Sequence, residues 1–201
     1  MGALNGNCRK TSYDPLDYEN LAKSVVWSLL EKPAESLPPE ESFNGIGVYA
    51  IYYTGNFPAY RKISATGYKI PIYVGQATPT KSRKGAETEA AMATNALHAR
   101  LCQHAKTLEA AENLKLEDFR CRHLIVVPVW VGLAEQFLIT HYRPLWNVLL
   151  DGFGNHDPGK GRRNMRRPRW DILHPGREWA KRLKAQESPY SLIRRVEEFF
   201  K

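Results

Sequence analysis

Apolar residues along this chain fall into short patterned runs separated by proline- and glycine-rich breaks. The first run, D-Y-E-N-L-A-K-S-V-V-W-S-L-L-E over 17–31, offers Leu21, Val25, Trp27 and Leu29 for burial and predicts an amphipathic helix. Pro33, Pro38 and Pro39 interrupt the chain after it. Residues 46–53 and 69–76 are short apolar and aromatic segments that suit strands. Between them, 54–67 carries Gly55, Pro58 and Gly67 and reads as a loop. The polar, mixed-charge stretch 78–90 predicts a mobile loop.

A helix is expected over 92–111, with Leu97, Leu101, Ala105 and Leu108 on one stripe. The nearly continuous apolar run 120–131 reads as a third strand. Gly132 then opens a helix that Pro144 stops after Arg143. Asp151-Gly152-Phe153-Gly154-Asn155 is a turn-rich joint. Beyond it, helices are expected from His174 to Lys184 and over 189–200.

This order predicts an α+β fold: a small antiparallel three-stranded sheet flanked by helices, with an N-terminal helix and a basic C-terminal extension. At 201 residues the chain reads as one domain over 1–201, with a core at 45–150 and an extension at 151–201. Residues 1–16 are polar and expected to be loose.

Charge changes the picture. Residues 156–184 hold ten Lys and Arg against three acids, which is +7 of the chain's net +8. Positive charge so concentrated favours a polyanion, nucleic acid first; a solubilising surface loop is the plainer alternative. No apolar run approaches the roughly 20 residues of a membrane span. The N-terminus lacks the apolar core of a signal peptide. Cys8, Cys102 and Cys121 are too scattered for a disulfide framework or a C-x-x-C metal pair. A reducing cytoplasm is the expected location.

Candidate chemistry comes from five places. Tyr49 and Tyr73 lie in two glycine-bounded triplets, Gly47-Val48-Tyr49 and Tyr73-Val74-Gly75, on neighbouring strands. Packing explains aromatic strands, but two phenols held at one site is the other reading. Arg100 and His104 are four apart on the next helix and share a face, at the edge of its apolar stripe. Glu135 sits among Val131, Ala134, Leu138 and Ile139, where an acid needs a cation or a metal beside it. Asn147 follows in Pro144-Leu145-Trp146-Asn147. Hydrolysis of a phosphodiester needs a base for water, a cation for the phosphorus centre, and help for the leaving oxygen. A phenol, an Arg, a His and a metal-binding carboxylate meet that need.

Taken in order, these residues resemble the GIY-YIG nuclease superfamily: a Gly-x-Tyr strand, a Tyr-x-Gly strand, Arg-x-x-x-His on a helix, Glu on the next helix, and a later Asn. S-L-P-P, P-I-Y-V-G-Q-A, P-L-W-N-V, D-G-F-G-N-H and H-P-G-R-E-W-A further resemble its type II restriction endonuclease branch, whose members read CCGCGG. Two features depart from the broad pattern. The tyrosines are 24 residues apart, and 78–92 looks inserted. Loops tolerate such length changes.

The resemblance implies a site-specific, Mg²⁺-dependent endonuclease acting on double-stranded DNA, with Mn²⁺ as a possible substitute. Glu135 would hold the metal and Arg100 the scissile phosphate. Tyr49 would act as general base, with His104 as the alternative base or a relay. Tyr73 would orient, and Asn147 would hold the geometry. A palindrome cut on both strands implies a homodimer on DNA. A restriction enzyme also implies a methyltransferase protecting the same sites. Lys160, Arg162, Arg163, Arg166, Arg167, Arg169 and Arg177 are the expected DNA contacts, to phosphates or to guanine edges. A repair, recombination or homing nuclease, or a silent DNA-binding protein, are the alternatives.

Overall fold

Strand β2 (Gly47–Tyr53) is buried at all seven positions, and its side chains from Val48 to Tyr53 alternate between two cores. Tyr49, Ile51 and Tyr53 point to one face of the sheet; Val48, Ala50 and Tyr52 point to the other. A strand buried on both faces must lie inside its sheet. In the computed structural model, which describes residues 14, 16–79, 88–159 and 165–201, it does.

The sheet runs in the order β1 (Glu35–Ser36), β4 (Phe119–Ile125), β2, β3 (Tyr73–Ala77), antiparallel throughout. It therefore has four strands rather than the expected three. The extra strand is two residues long, pairing Glu35 with Cys121 and Ser36 with Arg120. So short a segment, between prolines, carries no period for a sequence reading to detect.

The N-terminal helix α1 (Tyr18–Leu30) is present, capped by the Asp17 carboxylate accepting from the Glu19 N–H at 2.8 Å. It buries Val26 and Leu29, while Trp27, expected inside, stands 66% exposed. The 54–67 loop contains a single helical turn and α2 (Arg61–Ser64). Of the predicted mobile loop 78–90, residues 80–87 lie outside the described residues, as do 1–13 and 15 of the predicted loose N-terminus. Helix α3 (Thr88–Met92) precedes α4 (Ala96–Glu109), whose stripe Leu97, Leu101, Ala105 and Leu108 is buried as the spacing predicts.

The third predicted strand overruns. It ends at Ile125, and Pro128 opens helix α5 (Pro128–Tyr142), so Gly132 lies within that helix rather than at its start. Proline lacks the N–H that a first helical turn leaves unbonded and has the right φ for it. Apolar composition masked this switch from strand to helix.

The C-terminal region packs into the same core as the sheet. Helices α6 (Leu145–Val148), α7 (Arg169–Leu173), α8 (Glu178–Lys181) and α9 (Pro189–Phe199) follow, and Trp170, Ile172, Leu173, Leu192 and Val196 join Tyr49, Tyr53, Leu101 and Trp146 in one cluster. A buried polar chain ties them. Trp146 Nε1 donates to Tyr60 Oη at 3.0 Å, and Tyr60 contacts His174 Nε2 at 2.5 Å. His174 Nδ1 is 2.9 Å from Asn113 Oδ1, and Asn113 Nδ2 donates to the Leu173 carbonyl. Burial lowers the His174 pKa to about 3, so the ring is neutral. Asn113 Oδ1 is an acceptor, so His174 carries its proton on Nδ1 and Tyr60 donates to Nε2.

Candidate active site

Sheet register brings the two tyrosines together. Tyr49 stands opposite Gly75 and Tyr73 opposite Ile51, so both rings leave the same face, one pleat apart. Their centroids are 6.2 Å apart. Gly75 has a steric reason: a Cβ there would overlap the Tyr49 hydroxyl. The Tyr-x-Gly triplet thus supplies one ring and the space for the other.

Helix α4 crosses this face. Its His104, at 1% exposure, places Nε2 2.6 Å from Tyr49 Oη. Both rings also meet Tyr73, and Phe153 stacks on His104 with centroids 4.6 Å apart and planes at 14°. Arg100, one turn earlier, donates from Nη2 to the Gly154 carbonyl at 2.9 Å and from Nη1 to Gln103 Oε1 at 3.1 Å. Its Nη1 also lies 2.8 Å from His156 Nε2.

Glu135 reaches the cluster from α5. Its pKa is raised, chiefly by burial, against the opposing pull of the Gln76 backbone N–H and of Arg100. Asn147 on α6 grips the edge of β3: its Oδ1 accepts from the Val74 N–H at 2.9 Å and its Nδ2 donates to the Val74 carbonyl at 2.8 Å. An amide side chain here substitutes for a neighbouring strand.

The structure therefore brings Tyr49, Tyr73, Arg100, His104 and Glu135 to one place and sets Asn147 behind them. Burial raises Tyr49 well above the ordinary phenol pKa, with Tyr73 adding to the rise and Arg100 opposing it. Burial raises Tyr73 also. Burial and then the Arg100 charge lower His104 well below the ordinary imidazole value. Tyr49 and His104 are thus a neutral hydrogen-bonded pair.

The sequence profile of the Eco29kI GIY-YIG domain, a type II restriction endonuclease family, matches residues 41–200. This chain belongs to that family. It is a GIY-YIG nuclease, and its substrate is DNA. No curated protein matches the chain. The matched span reaches from the residues before β2 to the end of α9, so it includes the cluster, its supporting Asn147 and the basic C-terminal region.

A divalent metal fits this GIY-YIG site through one oxygen donor. Glu135 enters no ion pair among the described residues, and its half-buried carboxylate gains from a nearby cation. No group of three His, Cys, Asp or Glu stands ready to ligate among the described residues. The oxygen donor of Glu135 is of the kind that hard divalent cations take.

The arginines expected on DNA are placed differently. Arg177 is buried: it pairs with Asp171 at 2.5 Å and lies over the rings of Trp170 and Trp179. Arg167 donates to the carbonyls of Ala180, Lys181 and Leu183. Arg169 is held by Glu187 at 2.7 Å and Asp151 at 3.6 Å. Arg166 is exposed. Lys160, Arg162 and Arg163 lie outside the described residues. Among the described residues, no helix is long and apolar enough to cross a membrane.

Phe153, Gly154 and His156 are site residues that the sequence reading did not single out for chemistry. The signal available was a glycine-flanked aromatic three residues before a histidine. The spacing could not show that this joint folds back onto α4.

Proposed function

We propose that the protein is a type II restriction endonuclease of the cytoplasm that cleaves double-stranded DNA at a palindrome, CCGCGG, using one Mg²⁺ per active site. The observation that carries the chemical part is the 2.6 Å contact between Tyr49 and His104 beside Arg100. The palindrome rests on the family, and the metal on Glu135 with the family.

Arg100 binds the scissile phosphate and stabilises the charge that grows on it. The attacking water gives its proton to Tyr49 as the Tyr49 proton passes to His104 Nε2. This relay spares the protein a free phenolate, which burial makes costly. His104 stays neutral until it receives that proton, and negative charge on the attacked phosphate favours the imidazolium as it forms. Tyr73 orients the phosphate or the water, and Asn147 fixes β3 so that Tyr73 is in place. A divalent cation held by Glu135 would supply charge neutralisation to the reacting phosphodiester.

One site cuts one strand, so two chains related by a twofold axis act on a palindrome. The basic run from Lys160 to Arg166 supplies phosphate contacts and guanine readers. Double-strand cutting in the cell calls for a methyltransferase that protects the same sequence.

The test is unmethylated plasmid DNA of known sequence incubated with the purified protein, with Mg²⁺ or with EDTA. Mg²⁺-dependent fragments ending at CCGCGG are expected. Nicks without sequence preference would keep the nuclease and remove the restriction assignment. No cleavage with any divalent cation would remove the mechanism.

A further inference from the structure

We propose that Gly152–His156 is a positioning element for Arg100 and that His156 is its decisive residue. This inference rests on the nuclease reading above. A guanidinium has five N–H donors and no acceptor. Among the described residues three of those donors are taken, by Gln103 Oε1, His156 Nε2 and the Gly154 carbonyl. Because arginine can only donate, His156 Nε2 must carry a lone pair, so the ring is neutral with its proton on Nδ1.

All three acceptors are uncharged. They hold the guanidinium in place without neutralising it, as a carboxylate would, and leave its full charge for a phosphate. Two donors, the Nε–H and one on Nη2, are not taken by these three acceptors, and the guanidinium also reaches the Tyr49 and Tyr73 hydroxyls. Two is the number that a phosphate takes in a bidentate contact.

The element is itself fixed from below. Arg177 Nη2 donates to the Gly152 carbonyl at 2.8 Å, and Nη1 to the carbonyls of Phe153 and Asn155 at 3.2 and 2.9 Å. Buried between two tryptophans and paired with Asp171, Arg177 cannot wander. Gly154 allows the close approach, since a Cβ there would lie 2.8 Å from Tyr73 Oη and 2.9 Å from Arg100 Nη2. His156 is exposed, on the wall of a groove of about 450 Å³ that Gln76, Asn95, Arg100 and Gln103 also line. Arg100 lines the same groove, through which DNA can approach it.

Because His156 is exposed, its replacement leaves the fold intact. His156→Gln keeps an acceptor at similar reach; His156→Ala removes it. Steady-state cleavage of plasmid DNA by the full chain, with melting temperatures as a control, tests the role. His156→Ala is expected to lose about tenfold in kcat with little change in KM or melting temperature, and His156→Gln to recover most of that loss. Wild-type kcat in His156→Ala overturns the proposal. So does a rise in KM alone, which makes His156 a DNA contact, or a His156→Gln no better than His156→Ala. A wild-type chain that cuts no DNA removes the nuclease reading first, and this proposal with it.

Discussion

Tyr49 Oη and His104 Nε2 are 2.6 Å apart, and both side chains are buried, although 55 residues separate them in the chain. A pair that passes one proton acts as a unit, so its members are not independent. Tyr49→Phe and His104→Ala are each expected to lower kcat by about 10²–10⁴-fold. The double variant should be no worse than the poorer single one. Losses that multiply in the double variant would show two separate roles. Plasmid cleavage with circular dichroism as a folding control decides.

Glu135 makes a prediction about stability and pH. Burial raises its pKa from the ordinary 4.5, so the folded state prefers the protonated form. A group raised in this way contributes its stability below the unfolded value and loses it as pH rises through the folded value. Without metal, Glu135→Gln should therefore match the wild type in acid and become the more stable of the two as pH rises above 4.5. Mg²⁺ should then stabilise the wild type and leave the variant unchanged, while cleavage by the variant falls below detection. Thermal melts across about pH 4 to pH 8, with and without Mg²⁺, read both effects. A variant that melts with the wild type throughout would show that Glu135 pays no burial cost.

Two glycines should respond to alanine with opposite signs. A Cβ on Gly75 would overlap the Tyr49 hydroxyl, so Gly75→Ala should destabilise by about 1–3 kcal/mol and displace the Tyr49 ring. Gly132 is exposed in α5, with no atom near enough to meet a Cβ. Gly132→Ala should stabilise by about 0.5–1 kcal/mol, the entropy saved in a helix interior. Urea denaturation of both variants checks the pair; a neutral Gly75→Ala would mean that β2 and β3 are not held in this register.

The reasons for these signs explain what the sequence could disclose. Tyr49, Tyr73, Arg100 and His104 were legible because strand and helix periods are local: period two puts a strand residue on one face, and four residues put Arg100 and His104 on one helix surface. Glu135 was legible as an acid amid apolar neighbours. The strand β1 was not, since two residues have no period. The end of β4 was hidden because strand and buried helix share the same apolar composition, and only Pro128 marks the change. The return of Gly152–His156 onto α4 depends on contacts between distant segments, which no local period encodes. The burial of Arg177 was hidden for the same reason: a charge run reads as surface, and its tryptophans become a sandwich only after folding.

Within one basic segment, Arg177 and Arg166 should respond differently to removal. Removing Arg177 leaves Asp171 buried without its partner and frees three carbonyls of the loop above. Arg177→Ala should therefore cost about 3–5 kcal/mol of stability, far more than a surface charge is worth. Arg166 is exposed, so Arg166→Ala should leave stability within about 0.5 kcal/mol. If Arg166 meets a phosphate, its loss should weaken DNA binding and shallow the salt dependence of log K by about one. Denaturation curves give the first comparison, and DNA affinity measured over a range of salt gives the second. A stable Arg177→Ala protein with a reduced salt slope would return Arg177 to the DNA surface, and the anchoring of Gly152–His156 would need another residue.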